Sequence, residues 1–363
     1  MPKKIITLIL TALLLAGLTG FAAAQELTIT TDAFEADALL VKGTLSPDGT
    51  TIAVHENAII NNLEPLERYL WLIDAATGET LTTFSEPTDY VNAIAFTSDS
   101  RIMASIHANS TIHIWDMTTY ALLQTFDLPI VGNGDTAGFM PDNHTLVFIN
   151  SSPLGQIFFL DIDTGYMTRI IGPHFATRQA LSDVLEESLA RFSYIYTMID
   201  LNPYGESVAV ATASDAVFLW NLETGEQTPV LPEGETKGRF AITALEYTAD
   251  GSQLAFSKPD EGRVILADSA SGAEQAVLEI TADAFALSPD GEQIAWANRE
   301  AGALYFAPVD AVDQPTTLLE LPEGLRVAPR LTTLQFSPDG RILLLSGLFG
   351  EDNSTIYKFT LGE

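Results

Sequence analysis

The sequence predicts an all-β fold, a seven-bladed β-propeller of four-stranded antiparallel blades, from three observations. A turn resembling Ser-Pro-Asp-Gly occurs seven times, at residues 46–49, 97–100, 140–143, 202–205, 248–251, 288–291 and 337–340. The intervals between the last residues of these turns are 51, 43, 62, 46, 40 and 49, which bracket the roughly 40 to 50 residues of a four-stranded blade. Short apolar, β-prone runs flank every copy, and one spare run stands near the N-terminus, as a ring closed by its two chain ends requires.

At the start of the chain, Lys3 and Lys4 precede an apolar run from residue 5 to 18, and Ala22, Ala23 and Ala24 come after it. This is the pattern of an export signal, read as residues 1–24 with cleavage after Ala24. An uncleaved membrane anchor is the rival reading, since the run is about as long as the shortest spanning helices. On either reading the remainder, residues 25–363, leaves the cytoplasm and is secreted, periplasmic or extracellular. Leu27, Thr28, Ile29 and Thr30 then alternate as a strand and are expected to complete the seventh blade beside residues 356–359.

Within each unit the turn joins the first strand (a) to the second (b). Pro presets φ, Asp bonds its own backbone and Gly accepts positive φ. A third strand (c) comes next in every unit, as at residues 70–73, 112–115, 157–160 and 217–220. Most of these run into a second polar turn such as 74–78, 161–165, 221–225 or 268–272, each an Asp or Asn acceptor and then a Gly. A fourth strand (d) leaves that turn, and the last unit lacks one, which the spare N-terminal run supplies.

Two insertions interrupt the regularity, at residues 55–68 and 172–196. In the second, Leu181, Val184, Leu185, Leu189 and Phe192 recur at helical spacing, which predicts one inserted amphipathic helix over about 176–192.

The segments Thr111-Ile112-His113-Ile114-Trp115-Asp116 and Ala216-Val217-Phe218-Leu219-Trp220-Asn221 resemble the Trp-Asp end of a WD-repeat blade, and the seven turns resemble that family's a–b turn. TolB-like and quinoprotein-like propellers share such turns and are close seconds. No Gly-His pair precedes the strands, and the family's His-containing hydrogen-bond tetrad is not evident. In propellers resembling this one, b–c and d–a connections emerge together. Both insertions then decorate one face, and Ile59, Leu63, His174, Arg178, Leu185, Arg191 and Phe192 form the candidate binding surface. The helix could equally do no more than cover an apolar patch of blades three and four.

Charge narrows the partners. The chain has 17 basic and 48 acidic residues and a net charge of −31. Removing residues 1–24 takes Lys3 and Lys4 and no acid, leaving −33. Such a surface repels nucleic acid, whose binding depends on Lys and Arg releasing counterions, and it repels anionic membranes. No membrane span is expected after the signal is removed. There is no cysteine, which excludes disulfides and thiolate metal sites.

Catalytic patterns are absent from the sequence. No Gly-x-Ser-x-Gly elbow occurs. Of the five histidines, His113 reads as facing outward from a strand, while His55 and His107 end strand b in adjacent units and could approach each other. Two histidines are fewer than the three or four ligands that a metal site needs. Acidic segments around Asp32, Glu35 and Asp37, and at Asp260 and Glu261, read as solvated turns. No cofactor is expected; Ca²⁺ alone stays open, because irregular loops supply its oxygens. The reading is therefore an exported, monomeric, non-enzymatic propeller that binds a protein or peptide. The alternative is a propeller hydrolase or lactonase with a metal or carboxylate site at the central channel, for which Asp200, Glu246 and Asp283 are the residues to test.

Overall fold

The computed structural model describes residues 8–13, 26–36, 41–56, 70–84, 89–128, 136–150, 156–172, 196–232, 241–329, 331–350 and 354–362. Seven four-stranded antiparallel blades account for nearly all of them, which makes the fold a seven-bladed β-propeller. The chain divides into two compact units. One comprises Met1–His55, Trp71–Leu81 and Asp283–Glu363, and the other Glu56–Leu70 and Thr82–Ala282.

The second unit holds blades two to five. Blade two runs Val91–Phe96, Ile102–His107, Thr111–Asp116 and Leu122–Asp127. Blade three runs Ala137–Phe139, Thr145–Asn150, Gln156–Asp161 and Met167–Ile171. Tyr196–Leu201, Ser207–Thr212, Val217–Asn221 and Gln227–Leu231 form blade four. Leu245–Tyr247, Gln253–Lys258, Arg263–Asp268 and Glu274–Leu278 form blade five. Strands b and c are buried on both faces, as in the pattern of Thr111–Asp116, because each sheet packs against the next. Ile112, Ile114, Leu146, Phe148, Phe158 and Leu160 fill the space between blades two and three. Val147, Phe159, Ile199 and Val210 fill that between three and four.

The first unit contains Val41–Leu45 of blade one, all of blade six and all of blade seven. Blade six is Ala284–Leu287, Gln293–Asn298, Ala303–Pro308 and Thr316–Glu320. Blade seven is Thr333–Phe336, Ile342–Ser346 and Ser354–Leu361, completed by Glu26–Ala36 as its fourth strand. The N-terminal strand therefore closes the last blade, with a different register from the one expected. Thr31 faces Phe359 and Phe34 faces Ile356, so residues 31–34 rather than 27–30 lie beside 356–359. The strand is simply longer than its alternating start suggests. Its first half also pairs, along its other edge, with Leu8–Leu13, a fifth strand drawn from the stretch read as the export signal, with Leu8 opposite Thr31 and Leu13 opposite Glu26. Cleavage after Ala24 would remove that strand and leave the pairs from Ile29 to Ala36 intact. Among the described residues no helix is long and apolar enough to cross a membrane.

Lys358 ties this closure together. Its side chain is buried, and Nζ meets Asp32 Oδ2 at 2.9 Å and donates to the carbonyl of Ala75 at 2.5 Å. Asp32 is thus an ion-paired strand residue and not a solvated turn. Glu261, by contrast, is exposed in the turn Pro259–Glu261 as expected, and there it pairs with Lys258 and, at 3.7 Å, with Arg263.

The repeated turns behave as their residues dictate. The fourth residue of all seven has positive φ, from 59° at Ser100 and Asn143 to 72° at Gly205. In five copies the first residue's hydroxyl donates to the Asp, as Ser337 Oγ does to Asp339 at 2.5 Å, and the Asp accepts the N–H two residues on. Those donors hold Asp99, Asp290 and Asp339 below the usual carboxylate range. The turns also touch across blades. A Cβ at Gly205 would stand 2.9 Å from Met140 Cε and 3.0 Å from Pro141 Cδ. Where Asn143 replaces Gly, its Oδ1 accepts the Ser98 N–H at 2.7 Å instead.

Candidate functional site

The expected binding-face residues Ile59, Leu63, His174, Arg178, Leu185, Arg191 and Phe192, and the helix expected over 176–192, lie outside the described residues. The three carboxylates proposed for catalysis are described, and each is engaged. Asp200 is the penultimate residue of strand a in blade four, and its Oδ2 accepts the Tyr247 N–H of blade five at 2.6 Å. Loss of surrounding water pushes its pKa up to about 7, against the pull of the Tyr247 and Leu201 N–H donors. The same position in blade seven is Gln335. Its Oε1 accepts the N–H of Leu45 at 2.9 Å, and its Nε2 donates to the Leu45 carbonyl at 3.3 Å. Acid and amide thus perform one task, satisfying the backbone of the following blade. Glu246 holds the equivalent place in blade five. Asp283 instead precedes strand a of blade six, at that strand's other end. It accepts the Arg299 N–H at 2.7 Å and lies 3.8 Å from Arg299 Nε, which clamps its own blade's b–c turn.

His113 does not face outward. It is buried, with its ring 4.5 Å from that of His107 and 5.6 Å from Trp115. Both faces of strand c are covered, so alternation did not mark an outer side. A hydrogen-bonded chain runs beside it. Trp115 Nε1 donates to Ser105 Oγ at 2.9 Å, Ser105 Oγ lies 2.9 Å from His107 Nε2, and His107 Nδ1 lies 3.3 Å from the Asp89 carbonyl. Indole can only donate, so the Ser105 proton points to Nε2 and the imidazole proton to Asp89. A Trp–Ser–His chain is therefore present after all, with its histidine supplied by the end of strand b. Burial, then His113, push the His107 pKa down to about 4, so the ring is neutral. Among the described residues no three His, Cys, Asp or Glu side chains stand close enough to hold a metal ion.

One feature was missed by sequence reasoning. A cleft of about 720 Å³ opens between blades three and four at the end that carries the a–b and c–d turns. Met140, Phe159 and Leu222 give it an apolar lining, while Asp142, Glu206 and Glu223 line it with carboxylates. Arg169 reaches across it, with its guanidinium 5.9 Å from the centre of the Phe159 ring and Nη1 donating to the Leu222 carbonyl. The residues come from turns and strands spread over 140–223, so no local motif announces them. The signal within reach was the residue just after the turn glycine, which varies from repeat to repeat and is Glu206 in this one.

Residues 78–116, which take in Thr80–Phe84 of blade one and strands a to c of blade two, match the family model described as WD domain, G-beta repeat. The solved structures carry the likeness along the chain. A chain in a crystal structure of a mitotic checkpoint complex superposes with a TM-score of 0.64 over 90% of this chain and 90% of that one, at 15% identity. The fold is that of a β-propeller, and the WD-repeat match is carried by residues 78–116. No curated protein matches the chain by sequence. With 1697 solved chains matching, the likeness in fold does not by itself select a function.

Proposed function

We propose that the chain is an exported, non-enzymatic WD-repeat propeller that acts as a protein-binding or scaffold module outside the cytoplasm. One observation carries the non-catalytic part. The strand-a carboxylate Asp200 does in blade four what the Gln335 amide does in blade seven, so its chemistry is that of a blade-to-blade clamp. The likeness to a chain in a crystal structure of a mitotic checkpoint complex supports the binding part, and Ile59, Leu63, His174, Arg178, Leu185, Arg191 and Phe192 are the residues expected to form the contact surface. Affinity capture from the producing cell's envelope and medium tests this. A specific partner should be retained by the whole chain and lost on deleting residues 176–191; capture unchanged by the deletion would move the surface elsewhere. N-terminal sequencing of the exported protein should begin at Gln25.

One observation favours a second reading. A carboxyl titrating near neutrality, with Glu246 at the matching place in the next blade, suits a general base. Hydrolysis across a lactone panel that is abolished by Asp200→Asn, with the melting temperature kept, would establish the hydrolase.

A further inference from the structure

The cleft between blades three and four differs from an ordinary gap in the repeat. The corresponding gap between blades six and seven, about 580 Å³, is lined by Pro289, Phe306, Phe336 and Pro338, with Arg341 where the first cleft has Glu206. Only the first is flanked by uncovered aromatics. Tyr204 precedes the lining residue Gly205, and Tyr166 lies two positions before the lining residue Thr168. They are the two most exposed large hydrophobic or aromatic side chains among the described residues, at 65% and 74%. Exposed rings beside an apolar floor mark an interaction surface.

Charge specifies the occupant. Asp142 already accepts the N–H groups of His144 and Thr145, both at 2.8 Å. Glu206 and Glu223 carry no hydrogen bond or ion pair on their carboxylates among the described residues, and both are exposed. An anionic partner would meet these groups on a chain already at −31, and a purely apolar one would leave them unmatched. A cation satisfies both the rim and the floor, since an Arg or Lys stem packs on apolar surface while its head stays with the carboxylates. Arg169 shows that a guanidinium is accommodated there.

We propose that this cleft docks a basic, extended segment of a partner protein, its Arg or Lys heads on Glu206 and Glu223 and its apolar side chains against Tyr204, Tyr166 and the Met140 floor. The proposal rests on the protein-binding reading and adds a second surface to it, formed by a–b and c–d turns.

The test titrates the whole chain with a short peptide alternating Arg and Leu, and with its Asp-Leu counterpart. Wild type should bind only the first. Glu206→Lys with Glu223→Lys, and separately Tyr204→Ala, should weaken binding at least about tenfold, whereas the charge-matched control Glu292→Lys with Glu300→Lys should stay within about twofold. Should the Lys pair fail to fold, Glu206→Gln with Glu223→Gln serves, with a smaller loss in the same direction. Equal weakening by the cleft and control pairs would show attraction to bulk negative charge and overturn the site, as would no binding of the Arg-Leu peptide. Either result leaves partner capture through the insertions untouched, so the two readings fail separately.

Discussion

His107 is held neutral inside blade two, and this sets a pH dependence. The folded pKa of about 4 lies below the ordinary 6.5, so the unfolded chain binds more protons between those values. Stability from this group is complete above pH 6.5, declines as pH falls toward 4 and is then exhausted, a change of about 3 kcal/mol at most. Denaturant melts of wild type and His107→Gln at pH 7, 5 and 4 should show the variant less stable at pH 7 and less pH-sensitive down to 4; parallel curves would remove His107 as the cause. Lys358 contributes through its contacts, with Nζ held by Asp32 and the Ala75 carbonyl. Lys358→Met breaks the ion pair of the buried Lys358 with Asp32 and should cost about 3 kcal/mol, whereas the double change with Asp32→Leu should recover part of that loss. Neither group's role was legible beforehand. His113 and Asp32 were assigned to solvent because a strand covered on both sides gives no alternation, and because an acid beside a chain end looks like a turn.

At the scale of elements, the turns were the most legible part. Even Ser100 and Asn143, which replace glycine, stand at the positions where the repeat requires positive φ. Asn143 tolerates that conformation and also binds Ser98 Nα and Oγ across the blades, at 2.7 and 3.0 Å. Asn143→Gly should therefore cost about 1 kcal/mol through the lost bonds, and Asn143→Ala more, because strain is added. Gly347 is stricter. With φ of 73°, an added Cβ would fall 2.0 Å from the Leu331 carbonyl oxygen, a backbone atom that no rotamer change can move. Gly347→Ala should destabilise by more than about 3 kcal/mol in a thermal melt; a small effect would mean that the segment joining Ile342–Ser346 to Leu348–Gly350 yields easily. The register of the closing strand was not legible, since the alternation lies in residues 27–30 while Thr31-Asp32-Ala33-Phe34, which pair with 356–359, do not alternate. The candidate cleft was hidden for a different reason. It belongs to no element and arises only where turns of neighbouring blades leave a gap.

For the whole molecule, ring closure depends on the last blade being completed by the N-terminal strand Glu26–Ala36. Deleting residues 25–36 should expose the edge of Ser354–Leu361, lower the melting temperature and promote association, as an unpaired strand invites. The most direct measurement uses the absence of native cysteine. Thr30 and Thr360 face each other across the closing pair. Thr30→Cys combined with Thr360→Cys should oxidise within one chain and raise the melting temperature, because the bond constrains a loop of nearly the full chain. If that pair stays reduced under oxidant while Thr30→Cys with Ile356→Cys links instead, the observed closure is contradicted.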